Sequence, residues 1–252
     1  MMPQFGAACK KRVLRRRQQL RRSIFHAAFL CPTVGNLLSH AAMVRMIRAA
    51  FLCLLPSLLF AAEPLPLFNG KNLDGWTFDV IDPDVKPDAV WSVADGILVC
   101  KGRPPGVIRS EKEFSNYQLT VEWRWPDGKK PGNSGLLVHA STPRQTFVWP
   151  KSLEVQLGSG NAGDFWMLGE TVTIANATPL GRRWLKRQES TENPPGEWNT
   201  MKVICKADTI TVWVNGVRMN EGSGLSTSKG AICLQSEGAE IHFRKVELTP
   251  LE

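Results

Sequence analysis

Twice in this chain an alternating apolar run stops at an Asx-Gly pair and resumes at once on the far side. Val90-Trp91-Ser92-Val93 leads to Asp95-Gly96 and then Ile97-Leu98-Val99-Cys100, and Thr209 to Val214 leads to Asn215-Gly216 and then Val217-Arg218-Met219. A two-residue hairpin turn needs positive φ at both central positions, which Asp, Asn and Gly tolerate. Antiparallel pairs with local connections follow. Further strand patterns fall at 107–110, 117–125, 135–140, 152–157, 171–175, 198–206, 230–236 and 240–248, and no long helical period accompanies them. Many short strands punctuated by Gly and Pro predict an all-β domain, an antiparallel β-sandwich or jelly roll. Its first and last strands can pair and close it. Segment 176–197, with Pro179, Gly181 and Asn193-Pro194-Pro195-Gly196, reads as a long loop, with a solvated basic cluster at Arg182, Arg183, Lys186 and Arg187.

The formal charge of +8 does not belong to that domain. Residues 1–62 hold ten of the 31 Lys and Arg residues and none of the 23 Asp and Glu residues, so 63–252 carries 21 basic against 23 acidic residues, a net of −2. The electrostatic case for nucleic acid therefore fails for the folded part. Met46-Ile47-Arg48, the apolar run Ala49 to Phe60 and then Ala61-Ala62 have the layout of a secretory signal. The run is too short for a comfortable membrane span. The expected organisation is a basic extension plus signal over 1–62, with Met43 or Met46 as a possible start, and one domain over 63–252, exported to the periplasm or secreted. Cys9, Cys31 and Cys53 lie in the leader; Cys100, Cys205 and Cys233 fall in strands, where they are expected as small buried hydrophobes rather than a disulfide framework.

Alternation sorts the candidate functional residues. In 117–125, Tyr117, Leu119, Val121, Trp123 and Trp125 share a core face, and Trp91 is expected in the core as well. In 152–157, Leu153, Val155 and Leu157 point one way, and Ser152, Glu154 and Gln156 the other. That polar face is either solvated or the floor of a ligand site. Trp149, Lys151, Asp164 and Trp166 frame it, which favours the second reading. In Asn133-Ser134-Gly135-Leu136-Leu137-Val138-His139, Leu137 and His139 are expected opposite Leu136 and Val138, and a mid-strand His could act as a base. No G-x-S-x-G, Walker, H-E-x-x-H or EF-hand pattern occurs, nor the close E-x-D-x-x-E cluster of many sandwich glucanases. Glu154 could find a carboxylate partner in Glu122 or Asp164, or have none. No cofactor is expected, and the sequence leaves a divalent metal open.

The chain resembles the 3-keto-disaccharide hydrolase domain family over 65–250. The resemblance runs through Leu67-Phe68-Asn69-Gly70-Lys71-Asn72-Leu73-Asp74-Gly75-Trp76, Asn133-Ser134-Gly135, the run from Trp149 to Leu157, Asn161-Ala162-Gly163-Asp164-Phe165-Trp166 and Gly230 to Gln235. It implies a concanavalin A-like lectin/glucanase sandwich and an exported domain acting on carbohydrate, through hydrolysis of glycosides oxidised at C3. A C3 carbonyl acidifies the C2 proton, so a base can remove it, the C1 substituent leaves by elimination, and water adds. Such a route needs a base, an acid for the leaving oxygen and a donor for the enolate. On this reading Glu154 or His139 is the base and the other the acid, and Lys151 or Arg109 polarises the carbonyl. Gln156, Asn133, Asp164 and Gln235 bind hydroxyls, and Trp149 or Trp166 stacks on a ring. The alternatives are a non-catalytic carbohydrate-binding module and an ordinary glycosidase.

Overall fold

The computed structural model describes residues 62–141 and 144–252; the basic extension, the signal-like run and the three leader cysteines lie outside the described residues. Two antiparallel sheets face each other. The first runs β15 (Val217–Gly222), β14 (Thr209–Val214), β13 (Asn199–Lys206), β6 (Tyr117–Arg124), β17 (Ile241–Pro250), β4 (Ile97–Cys100) and β3 (Trp91–Ala94), with β1 (Leu65–Pro66) also paired to β17. The second runs β12 (Arg183–Trp184), β11 (Phe165–Leu168), β10 (Ser152–Gln156), β7 (Gly135–Ala140), β16 (Gly230–Ser236), β5 (Gly106–Phe114) and β2 (Trp76–Val80). A small hairpin pairs β8 (Arg144–Thr146) with β9 (Trp149–Pro150), and one helical turn, α1 (Pro87–Val90), precedes β3.

Both Asx-Gly turns form as expected. Asp95 and Gly96 have φ of 51° and 75°, and Asn215 and Gly216 have 48° and 83°. The first and last strands do pair, Leu65 opposite Leu248. Between the sheets lie Tyr117, Leu119, Val121 and Trp123 from β6, Leu136 and Val138 from β7, and Leu153 and Val155 from β10, all fully buried. Trp91 joins them. Cys100, Cys205 and Cys233 are free and buried, and burial pushes each thiol up to about 12, which makes them inert packing groups.

Three expectations change. Segment 171–175 forms no strand and keeps one bridge, Thr173 to Ser223; Val172 and Ile174 are buried in the core, so the apolar alternation reflects packing without a ladder. The loop at 176–197 contains β12, which extends the second sheet past β11. His139 leaves the alternation. The register of β16 against β7 shifts between Ala231 and Cys233, His139 takes φ 52°, and its ring meets Tyr117 edge-on at 5.8 Å. Tyr117 belongs to the core of the facing sheet, so the bulge turns His139 inward, away from the face that carries Leu137.

Candidate functional site

Directly paired residues of antiparallel strands share a face. The registers of the second sheet therefore build its outer face row by row. One row reads Thr77, Arg109, Cys233, Leu137, Glu154, Trp166 and Arg183. The next reads Asp79, Val107, Gln235, Gly135, Gln156 and Asp164. At the end of the strands, Asn133 bridges to Glu237.

Gly135 organises the centre. A Cβ there would collide with Gln235 Oε1 and stand 2.5 Å from Glu154 Oε1. Only a bare Cα lets these two side chains meet above β7. Ser152, Glu154 and Gln156 are not solvated: they are 0%, 5% and 5% exposed. Glu154 Oε1 and both amide atoms of Gln235 are buried without a hydrogen-bond partner. Unpaired buried polar atoms are costly and mark places where a ligand can complete the bonding. Burial pushes the Glu154 carboxyl up to about 8, and the negative charge of Glu237 adds to the rise; the Gln235 amide and the Arg182 guanidinium oppose it in part. Burial also raises Glu237, against a partial offset from the Asn133 side chain. Gln156 is held in place: its Oε1 accepts from Leu157 N at 2.9 Å and Gly158 N at 2.6 Å.

Asp164 is buried and its two oxygens are taken. Oδ2 accepts from Arg183 Nε at 2.7 Å and Oδ1 from Lys186 N at 2.7 Å, while Arg183 Nη2 reaches Asn161 Oδ1 at 2.8 Å. These bonds pin the 176–197 loop beside the site and leave Asp164 as an anchor rather than a free hydroxyl acceptor. Arg183 lies over Trp166, 5.4 Å from the ring centre. Asp164→Asn is expected to cost about 1–3 kcal/mol, because it removes the buried carboxylate that holds the half-buried Arg183 guanidinium and the Lys186 backbone N–H. Urea denaturation measures this, and a loss below about 0.5 kcal/mol would remove the anchoring role.

The remaining candidates stand apart from the carboxylates. Trp149 is 8% exposed and packs with Val107, Leu137, Val148, Leu168 and Cys233 in a small apolar cluster on the outer face. Its hairpin is latched to the sheet by Arg144 Nε on both oxygens of Asp79 at 3.0 Å. Arg109 is three strands from Glu154, roughly 14 Å at the usual strand spacing, and is engaged by Glu113 at 3.2 Å and Ser110 O at 3.4 Å. Lys151 precedes β10 and lies along Gly169, at the opposite end of the strand from Asn133. His139 is on the inner side. The site thus gathers Glu154, Gln156, Gln235, Asn133 and Trp166, and separates them from Lys151, Arg109, Trp149 and His139.

Glu237 enters from outside the expected set, while Arg182 stays on the exposed surface and acts on Glu154 only through its charge. Glu237 had a signal: Cys233, Gln235 and Glu237 continue one period-2 face, although β16 ends at Ser236. Arg182 had none, since its place depends on how β12 docks. Among the described residues, no three His, Cys, Asp or Glu side chains converge as a metal-holding group.

A family model described as the 3-keto-alpha-glucoside-1,2-lyase-like domain matches residues 63–249. Among solved structures, a protein provisionally called a glycosyl hydrolase, from Parabacteroides distasonis, is 21% identical with a TM-score of 0.56, over 86% of this chain and 99% of its own. A second such protein from the same organism is 24% identical with a TM-score of 0.54, over 75% of this chain and 100% of its own. A carbohydrate binding module from Bacillus subtilis is 13% identical with a TM-score of 0.50, over 69% of this chain and 95% of its own. These likenesses show the sandwich fold. No curated protein sequence matches the chain.

Proposed function

This chain belongs to the 3-keto-alpha-glucoside-1,2-lyase-like family, and from that premise we propose that its domain cleaves glycosides oxidised at C3, with Glu154 as the base. The observation that carries this reading is the Glu154 carboxyl, buried with one oxygen unpaired beside Glu237 and an unpaired Gln235 amide. The ionised Glu154 takes the C2 proton, and the electron pair of the C2–H bond passes into the C3 carbonyl as an enolate. The Gln235 and Gln156 amides donate to the enolate oxygen. When the enolate collapses, C1–C2 becomes a double bond and the C1–O bond breaks. Glu237, whose acid form is favoured by burial, supplies the leaving oxygen's proton. Water then adds at C1 and C2 regains a proton, giving the free 3-keto sugar. Trp166 borders the sugar. The basic start and apolar run at 46–60 support export, to the periplasm or beyond.

A base must be ionised to act, so kcat/KM is expected to rise with pH up to about 8, the value set by burial and Glu237. The test pairs 3-keto-glycosides with their unoxidised parents in D2O, with and without chelator. Turnover of the 3-keto substrates alone, with deuterium at C2 of the product, is expected. Equal cleavage of the unoxidised parents would instead identify an ordinary glycosidase. The near-complete covering of Glu154, 5% exposed, favours a second reading as a binding module of the kind that shares this fold. Saturable binding without product would select it.

A further inference from the structure

A recess lies at the free edge of the first sheet, and none of the residues that line it belongs to the Glu154 face. It encloses about 590 Å3 between β15 and the loop that runs from 175 to 188, within the range of small-ligand pockets. Backbone bonds bracket it at both ends. Arg187 N donates to Met219 O at 2.8 Å, and Thr173 and Ser223 exchange N–H···O bonds of 2.8 and 3.0 Å. Between these anchors the edge of β15 opens.

A bulge shapes the wall. Val212 pairs with Asn220 but Trp213 pairs with Arg218, so Met219 is one residue too many on β15. Residues 218 and 221 would point to opposite faces of a regular strand. The extra residue brings Arg218 and Glu221 to one side, where Arg218 Nη1 donates to Glu221 Oε2 at 2.7 Å. The bulge also buries Asn220 beside Met219. Its amide nitrogen donates to Gly163 O at 3.1 Å, while its Oδ1 is buried with no partner. Across the recess stand Gln188, Asn176 and Arg187. Arg187 forms no ion pair with any described residue.

We infer that this recess is a second binding site, for an anionic saccharide. The free Arg187 guanidinium takes a carboxylate or sulfate as a two-pronged donor. Gln188, Asn176 and the Arg218–Glu221 pair offer planar donors and acceptors suited to vicinal hydroxyls. The site is independent of the chemistry proposed for Glu154, since none of its residues belongs to that face.

Isothermal titration of the purified protein with trigalacturonate, a sulfated trisaccharide and neutral maltotriose tests this. One or both anionic ligands should bind at least about tenfold tighter than maltotriose, the size of a charge-assisted hydrogen bond. Arg187→Ala should lose that margin, and Arg187→Lys should restore part of it. Glu154→Gln should leave it intact, and Arg187→Ala should leave turnover of a small 3-keto-glycoside unchanged. Carboxylate and sulfate arms report which anion is preferred; binding of either supports the site. Failure of both to bind, affinity equal to maltotriose, or unaltered binding by Arg187→Ala would overturn it.

Discussion

Glu154→Gln abolishes turnover of a 3-keto-glycoside and, above neutral pH, makes the protein more stable than wild type. The first effect is the loss of a positioned base, worth about 10²–10⁴-fold in kcat. The second follows from linkage. The Glu154 carboxyl titrates near 8 in the fold against 4.5 for the ordinary group, with burial as the main cause. Between these values the folded chain keeps a proton that the unfolded chain releases. The contribution of the neutral acid to stability is therefore fully present below about 4.5 and is lost as pH rises through about 8. At roughly 1.4 kcal/mol per unit, the loss is on the order of 3–5 kcal/mol. Glutamine fills the same volume, cannot ionise, and removes that slope. Urea midpoints at pH 5, 7 and 9, measured beside kcat, separate the two effects. A wild-type and variant pair whose stability difference does not change with pH would contradict the buried titration. Unchanged turnover would take Glu154 out of the mechanism. A residue whose replacement stabilises the fold while stopping the reaction is kept for chemistry rather than for folding.

The fold was legible because its signals are local. Asx-Gly at 95–96 and 215–216 dictated hairpins, and alternation in 117–124 and 152–156 sorted core from outer face residue by residue. Within the site, the same alternation put Glu154 and Gln156 on one face, and the structure adds that this face is buried rather than wet. What a single strand could not disclose was pairing across strands. Arg109 and Glu154 lie in one row, yet three strands apart. His139 was misread because a bulge, set by the mismatch between β7 and β16, inverted its side. Trp149 was read as a stacking residue beside the polar strand because its cover, the outer cluster around Leu137 and Leu168, comes from other strands. Asp164 looked free because its partners, Arg183 and Lys186, come from a loop about twenty residues on.

Gly135→Ala tests the geometry of the site without removing any of its functional groups. Gly135 lacks the positive φ that would require glycine, so alanine fits the backbone and only its methyl group matters. That methyl group would collide with Gln235 Oε1, stand 2.5 Å from Glu154 Oε1 and 2.8 Å from Glu154 Cγ. Neither side chain can retreat downward, because the sheet is beneath them. Both must swing outward, moving the carboxyl by roughly 1 Å, a displacement that typically costs about 10²-fold in rate. The added volume should cost about 1–3 kcal/mol of stability. Pushed toward solvent, Glu154 loses part of its desolvation, so the rising limb of kcat/KM should move below 8. Adding Gln235→Ala to Gly135→Ala relieves one side of the collision. The double variant should regain stability but not rate, because the amide proposed to hold the enolate is then gone. If Gly135→Ala keeps wild-type kcat/KM and an unshifted limb, Glu154 and Gln235 do not act together over this glycine, and the reaction centre lies elsewhere on the sheet.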